Sequence, residues 1–332
     1  MHRSSPSRAT ILLPAARLSV FTAAEARGAG WSPDALERAT SSGRLVRLRR
    51  GVYTPAGLDP DVHPADRARR DRARQAIAVG LTTRGATVSA LAAATVEGWP
   101  VWAPREQACV TVCGSTNTSL SGVHLHRGGI RAAAWRDDAG YRITRATRTV
   151  VDVAREHGTE AGLVVADAAV ASRATTAERL QDEVDRLIGR RGVAAARPLP
   201  ALVDGRSESV LESRSRWRFV VHDIPPPTPQ MWIYDLAGHF LGRTDFYWVD
   251  GVVGEVDGAG KLEDPEARRD ILTRQLRLGR AGLRIVRWGA RDLVPFDPTA
   301  AWLREELAAA AGDRRPRRWF ASPVRLGAGT AA

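Results

Sequence analysis

The run Leu45-Val-Arg-Leu-Arg-Arg-Gly-Val-Tyr53 constrains this chain more than any other stretch. Val46 and Leu48 alternate with Arg47 and Arg49, the period of a strand with one covered face and one wet one. Gly51 supplies a residue at ease in a left-handed turn, and Val52-Tyr53-Thr54 resumes the strand pattern, so the run predicts a hairpin. On this alternation Val46 and Leu48 face inward, and Arg47 and Arg49 face outward together. Helix signals precede the hairpin. Thr22-Ala-Ala-Glu25 is a capping box that opens a short helix ending at the Gly28-Ala-Gly30 stop. Ser32-Pro33 is an N-cap followed by proline at the first helical position, Leu36 and Ala39 supply an inner face, and Gly43 stops that helix. A still earlier helix is expected over about Ser7 to Arg17.

Three helices followed by a basic hairpin is the order of a winged helix-turn-helix. In such a domain the third helix enters a major groove and the wing meets phosphates. The charge distribution agrees. The net charge is +12, and the first 75 of the 332 residues hold 14 arginines against 7 acidic residues. Residues 76–200 hold 15 basic against 12 acidic residues, and residues 201–332 hold 20 against 18. Basic charge gathered at one end points to an anionic partner, double-stranded DNA first. The expected DNA contacts are Arg44, Arg47, Arg49 and Arg50 around the wing and Arg38 on the third helix, which also carries Asp34 and Glu37. The alternative is a solvated, arginine-rich hairpin on a small helical domain.

Other classes are excluded. An apolar share of 44% with 26% charged residues is that of a folded globular chain. No apolar run reaches the ~18–20 residues of a membrane span. Arg3 and Arg8 precede an apolar stretch that Pro14 and Arg17 interrupt, which favours a first helix over a signal peptide. Cys109 and Cys113 are the only cysteines, so a disulfide framework is absent and a reducing cytoplasm is expected.

The pattern divides the chain into a winged helix-turn-helix over 1–60, a mixed α/β middle region over 61–200, a third α/β unit over 201–311 and a disordered basic tail over 312–332. In the middle region, helices are expected near 66–79, 88–96, 148–156, 161–171 and 177–188, with paired strands at Cys109–Cys113 and Val123–His126. His124 and His126 share a strand face and form half a metal site at most; Cys109 and Cys113 read as core packing. A scaffold or oligomerisation role is the default for this region, and the oligomeric state stays open. The third unit reads α, β, β, β, α, β.

That unit holds the only arrangement suited to catalysis. Glu255 and Asp257 stand two apart on one strand face. A two-residue Asp250-Gly251 loop would put Asp245 on the wrong face, whereas a three-residue loop with Gly251 left-handed sets Asp245 opposite Glu255. Asp245, Glu255 and Asp257 would then converge as hard oxygen ligands suited to Mg²⁺ or Mn²⁺. Lys261 is the one lysine beside 48 arginines. Its compact ammonium could orient a water or stabilise phosphate charge, unless it is a chance survivor on a loop. Glu212 could add a fourth carboxylate, or Ser209-x-x-Glu212 is simply a capping box.

Two resemblances follow from these residues. The segment Gly43 to Tyr53 resembles the winged-helix domain of AbiEi-type antitoxins of toxin–antitoxin systems. Ser207-Glu-Ser-Val-Leu-Glu212, Gly242-Arg-Thr-Asp-Phe246, Gly254-Glu-Val-Asp-Gly258 and Arg284-Ile-Val-Arg-Trp288 resemble a domain related to the very-short-patch-repair endonucleases, of the restriction-endonuclease-like PD-(D/E)XK fold. The second resemblance implies acidic positions at Asp245 and Glu255. Where its pattern has lysine, this chain has Asp257, with Lys261 a shifted substitute. Two functions remain open: a DNA-binding, divalent-metal-dependent endonuclease, or a non-catalytic transcriptional repressor or antitoxin with a cognate toxin as partner.

Overall fold

A computed structural model describes residues 17–103, 108–112, 123–127, 129–258 and 265–326. The chain divides into two compact units, residues 1–202 and 203–332.

The first unit opens with β1 (Phe21–Thr22), α1 (Ala23–Gly28), α2 (Pro33–Ser41), β2 (Leu45–Arg49) and β3 (Val52–Pro55). The caps act as their chemistry requires. Thr22 and Glu25 close a reciprocal capping box on α1, and the Ser32 side chain accepts from Ala35 N at the start of α2. Phe21, Ala26, Leu36, Ala39 and Leu45 form the small core beneath these helices. The helix expected before them lies outside the described residues except for Arg17.

This segment is not a separate module. After it come α3 (Pro64–Thr82), β4 (Ala86–Val88), α4 (Ala90–Val96), β5 (Ala108–Val112), β6 (Val123–Arg127), β7 (Trp135–Asp138) and β8 (Tyr141–Thr144). Four helices complete the unit: α5 (Ala146–His157), α6 (Thr159–Ala171), α7 (Ala177–Arg186) and α8 (Leu199–Leu202). The sheet order is β6-β5-β4-β8-β7. Its core joins Ile77, Val79, Val88, Val110 and Ile143 to Val20 and Val52, so the wing and the region after it bury apolar surface in common. The expected boundary near residue 60 is therefore not a break in packing. Mostly apolar, α6 is buried along most of its length, Glu160 and Asp167 included.

The second unit comprises α9 (Val210–Val221), β9 (Thr228–Asp235), β10 (Phe240–Trp248), β11 (Val252–Asp257), α10 (Pro265–Ala281), β12 (Arg284–Gly289), α11 (Asp297–Ala311) and β13 (Trp319–Ser322). The expected order α, β, β, β, α, β matches α9 to β12. The sheet runs β12-β11-β10-β9-β13, with β11 and β12 parallel and the other pairs antiparallel. Within the tail expected to be disordered, residues 319–322 are an ordered edge strand. Trp319 is buried and packs edge-on against Tyr247, which gives this arginine-rich stretch an apolar anchor.

An aromatic cluster fixes the floor of the sheet. Phe219 meets Phe246, Trp248, Trp288 and Phe296 at 5.1–6.0 Å between ring centroids. Trp288 stacks on Phe246 at 5.8 Å, and its indole donates to Ser215 Oγ at 2.8 Å. Gly254 lies under this stack, and a Cβ there would fall 2.5 Å from Trp288. Gly254→Ala should overpack the site and cost about 1–3 kcal/mol. A lowered urea midpoint by tryptophan fluorescence is the expected result; an unchanged midpoint would mean that Trp288 yields without cost.

Candidate nucleic-acid interface and acidic cluster

The wing does not follow simple alternation. Val46 pairs with Thr54 and Arg47 with Tyr53, but Arg49 pairs with Val52, a register shift between Arg47 and Arg49. This β-bulge places one extra residue on β2 and switches the face of everything after it. Arg47 thus shares a face with Tyr53, whose ring stacks on Phe21. Arg49 shares the opposite face with Val52, Thr54 and Val46. The expectation that Arg47 and Arg49 point the same way is corrected, as is that of an inward Val46, which is 45% exposed. Arg49 is half-buried, and burial pushes its guanidinium below its ordinary pKa.

Arg38, Arg44, Arg47 and Arg50 are all exposed. Arg44 Nε donates to Ser42 Oγ at 3.2 Å. None of the four has a carboxylate partner among the described residues. Gly51, at φ 74°, closes the turn that presents Arg50.

In the second unit the three-residue loop is present. Trp248 pairs with Val252 and Phe246 with Gly254, and Gly251 sits at φ 89°. The next step of that register brings Asp245 level with Glu255. There Asp245 Oδ2 accepts from Val256 N at 2.8 Å. Glu212, from α9, is buried and accepts from Glu208 N at 3.0 Å and from Gln230 Nε2 at 2.7 Å. Ser209 does cap α9, yet the Glu212 side chain reaches Glu208 N rather than the cap, so only half of the capping box forms. Gln230 holds φ at 57°, a conformation disfavoured for a residue with a side chain, while its amide reaches Glu212. Nothing in the sequence marked it, because backbone strain has no compositional signal.

Arginines occupy the remaining carboxylates. Glu255, 2% exposed, pairs through Oε2 with Arg274, and Asp257 receives a two-pronged bond from Arg287, with Nε at 3.0 Å from Oδ2. Arg274 reaches Glu255 by crossing Gly242, where a Cβ would stand 2.9 Å from its stem. Among the described residues, no three histidine, cysteine or acidic side chains form a group that could hold a metal ion. The expected Asp245/Glu255/Asp257 triad is therefore not assembled, because Arg287 engages Asp257. Glu255 Oε1 remains buried without a hydrogen-bond partner among the described residues. Lys261 lies outside the described residues, as do Cys113 and the side chains of Cys109 and His124. His126 pairs with Glu156 at 2.6 Å instead of forming half a metal site.

Burial, opposed by Arg274 and reinforced by Asp245, pushes the Glu255 carboxyl up from 4.5 to about 7. Between those values the folded chain keeps a proton that the unfolded chain has lost, so stability falls as pH rises through the window. Glu255→Gln should remove this share of the pH dependence. Urea midpoints of wild type and variant near pH 4.5 and pH 7 measure it, and equal slopes would place the titration elsewhere.

Comparison with known proteins bears on the N-terminal end. Residues 11–56 match the family described as "Transcriptional regulator, AbiEi antitoxin". The chain is also 36% identical over 112 residues to Uncharacterized protein MT2308 of Mycobacterium tuberculosis (strain CDC 1551 / Oshkosh). The same identity and length hold for Uncharacterized protein Rv2248 of Mycobacterium tuberculosis (strain ATCC 25618 / H37Rv). Each match covers 34% of this chain and 41% of the relative, so the chain spans about two fifths of the curated relatives it matches. No helix among the described residues is long and apolar enough to cross a membrane.

Proposed function

We propose that this protein is a DNA-binding transcriptional regulator of the antitoxin type. In this reading α2 and the wing hold duplex DNA, and a cognate toxin is the protein partner. One observation carries it: Arg38, Arg44, Arg47 and Arg50 are exposed, lie within the stretch that matches AbiEi regulators, and have no carboxylate partner among the described residues. Unpaired surface guanidinium is the chemistry that meets phosphate. Arg49 lies on the opposite hairpin face and is removed from this surface. Asp34 and Glu37 on α2 restrict how closely that helix approaches a backbone, which leaves most phosphate contact to the wing.

The test is anisotropy of a labelled duplex from the protein's own upstream region, titrated across salt concentrations. Arg47→Ala with Arg50→Ala should weaken binding alike for cognate and scrambled duplexes. It should also flatten the logarithmic salt slope by about 0.9 per lost phosphate contact. An unchanged slope would overturn this surface.

The buried, partnerless Glu255 Oε1 favours a second reading, in which residues 203–326 are an endonuclease-like unit. Asp245 and Glu255 fit a hard divalent cation, Mg²⁺ or Mn²⁺, and Glu212 lies close enough for the Asp245 charge to raise its pKa further, after burial. Such a cation would supply Lewis-acid assistance to phosphodiester hydrolysis. Asp257 serves there by holding Arg287. Glu255→Gln should abolish plasmid nicking in Mg²⁺ or Mn²⁺ while duplex affinity stays, and Lys261→Arg should slow it. Absence of nicking by clean wild-type protein with either cation would sink this second reading and leave the regulator.

A further inference from the structure

The bulge that removes Arg49 from the duplex surface places it in a cleft of about 930 Å³ between the wing hairpin and α3. That volume is within the range of small-molecule sites, roughly 300–1,000 Å³. The walls have two characters. Arg49, Arg50, Arg67 and Arg72 line it together with Gln75, while Val46, Pro55, Leu58 and Pro60 give it an apolar side. Its one acidic lining residue, Asp71, is already paired with Arg74 at 2.6 Å.

Two lining groups lack partners. Arg49 Nε and Thr54 Oγ1 are covered from water and make no hydrogen bond among the described residues. Thr54 is 5% exposed, and it stands on the same hairpin face as Arg49. Buried polar groups in native proteins are nearly always satisfied, so two donors unsatisfied at one cleft indicate something that satisfies them. The Arg67 guanidinium donates to the carbonyls of Asp59, Pro60 and Val62, which orient it without neutralising it. Arg49, Arg50 and Arg67 together carry more positive charge than a single carboxylate ligand would balance. A phosphate ester, doubly or more highly charged and rich in acceptors, matches them.

We propose that the cleft between the wing and α3 binds a small phosphorylated organic anion, its phosphates on Arg49, Thr54 and the neighbouring arginines and its body against Val46, Pro55, Leu58 and Pro60. The site adjoins the duplex surface at Arg50, but its unpartnered groups, Arg49 and Thr54, lie on the hairpin face opposite Arg47. The protein would thus take a free metabolite of nucleotide size as well as DNA.

Calorimetric titration of the full-length chain with ATP, inorganic pyrophosphate and adenosine tests this. ATP and pyrophosphate should bind and compete, and adenosine alone should not. Arg49→Met and Gln75→Glu should each weaken ATP by about tenfold or more, the cost of losing or opposing a charge-assisted bond. Thr54→Val guards against a folding artefact, since removing an unpartnered buried hydroxyl leaves stability unchanged or higher. It should weaken ATP severalfold while leaving duplex binding at the wild-type value. Failure of both ATP and pyrophosphate to bind would overturn the proposal, as would equal affinities in wild type and all three variants. A parallel loss of duplex affinity in Thr54→Val would assign the cleft to nucleic acid and overturn it equally.

Discussion

One buried guanidinium ties the first unit together. Arg74 is 4% exposed, and it donates to Leu18 O at 3.0 Å, to Asp59 at 2.6 Å and to Asp71 at 2.6 Å. It thereby joins α3 to the chain before β1 and to the turn after β3. Asp59 sits at φ 60°, and its burial is offset by hydrogen bonds from Arg74 and Arg70 that hold its carboxyl below the usual range. Removing one member of such a buried pair strands the other charge, at a cost of about 3–5 kcal/mol. This junction lets Val20 and Val52 share a core with Ile77 and Val79, and it holds the wing hairpin against α3 with the cleft between them.

The arginines fall into two populations, those held by carboxylates and those exposed without one among the described residues. In the second unit four are neutralised from within, Arg243 by Glu208, Arg274 by Glu255, Arg284 by Glu306 and Arg287 by Asp257, whereas Arg269, Arg277 and Arg280 on α10 are exposed. Around the wing, Arg38, Arg44, Arg47 and Arg50 have no such carboxylates among the described residues. Composition predicted an asymmetry of charge, but pairing sharpens it, because a guanidinium already held by a carboxylate offers little to an incoming phosphate.

Local chemistry was legible in the sequence, and long-range pairing was not. The capping box at Thr22, the N-caps at Ser32 and Ser209 and the loop ending in Gly251 all involve neighbours within a few residues, and the structure has them. The short strands β4, β7 and β8 carried no clear alternation and went unseen. Their backbone is satisfied by strands distant in sequence, β4 by β5 and β8. The bulge at Arg47–Arg49 was invisible for a related reason: alternation assumes one residue per step, and only the partner strand reveals the extra one. Trp319 made a strand of a tail whose composition suggested disorder. The positions of Asp245 and Glu255 followed from one turn, but the arginines that engage their neighbours come from α10 and β12, and no spacing rule connects those elements to the β11 face.

That last point bears on how the acidic cluster is balanced. Burial raises the proton affinity of Glu212 and Glu255, Asp245 adds to both and Asp257 to the latter, while Arg274 and Arg287 oppose the rise at Glu255. Burial and the charges of Asp245 and Asp257 outweigh Arg274 and Arg287, and Glu255 answers by holding its proton up to about 7. If the unit is endonuclease-like, Asp257 stands where that pattern has lysine and reverses the charge, and Arg287 on the adjacent parallel strand reverses it again. A planar fork satisfies a carboxylate on two sides and keeps it, whereas a compact ammonium would leave an edge exposed to a third party. Protonation of Glu255 and Glu212 is one way of neutralising the cluster, and in the endonuclease reading a cation competing with Arg274 would be the other. In the endonuclease reading, proton and cation would draw on the same carboxylate oxygen, Glu255 Oε1, which like Arg287 Nη1 is buried without a hydrogen bond among the described residues.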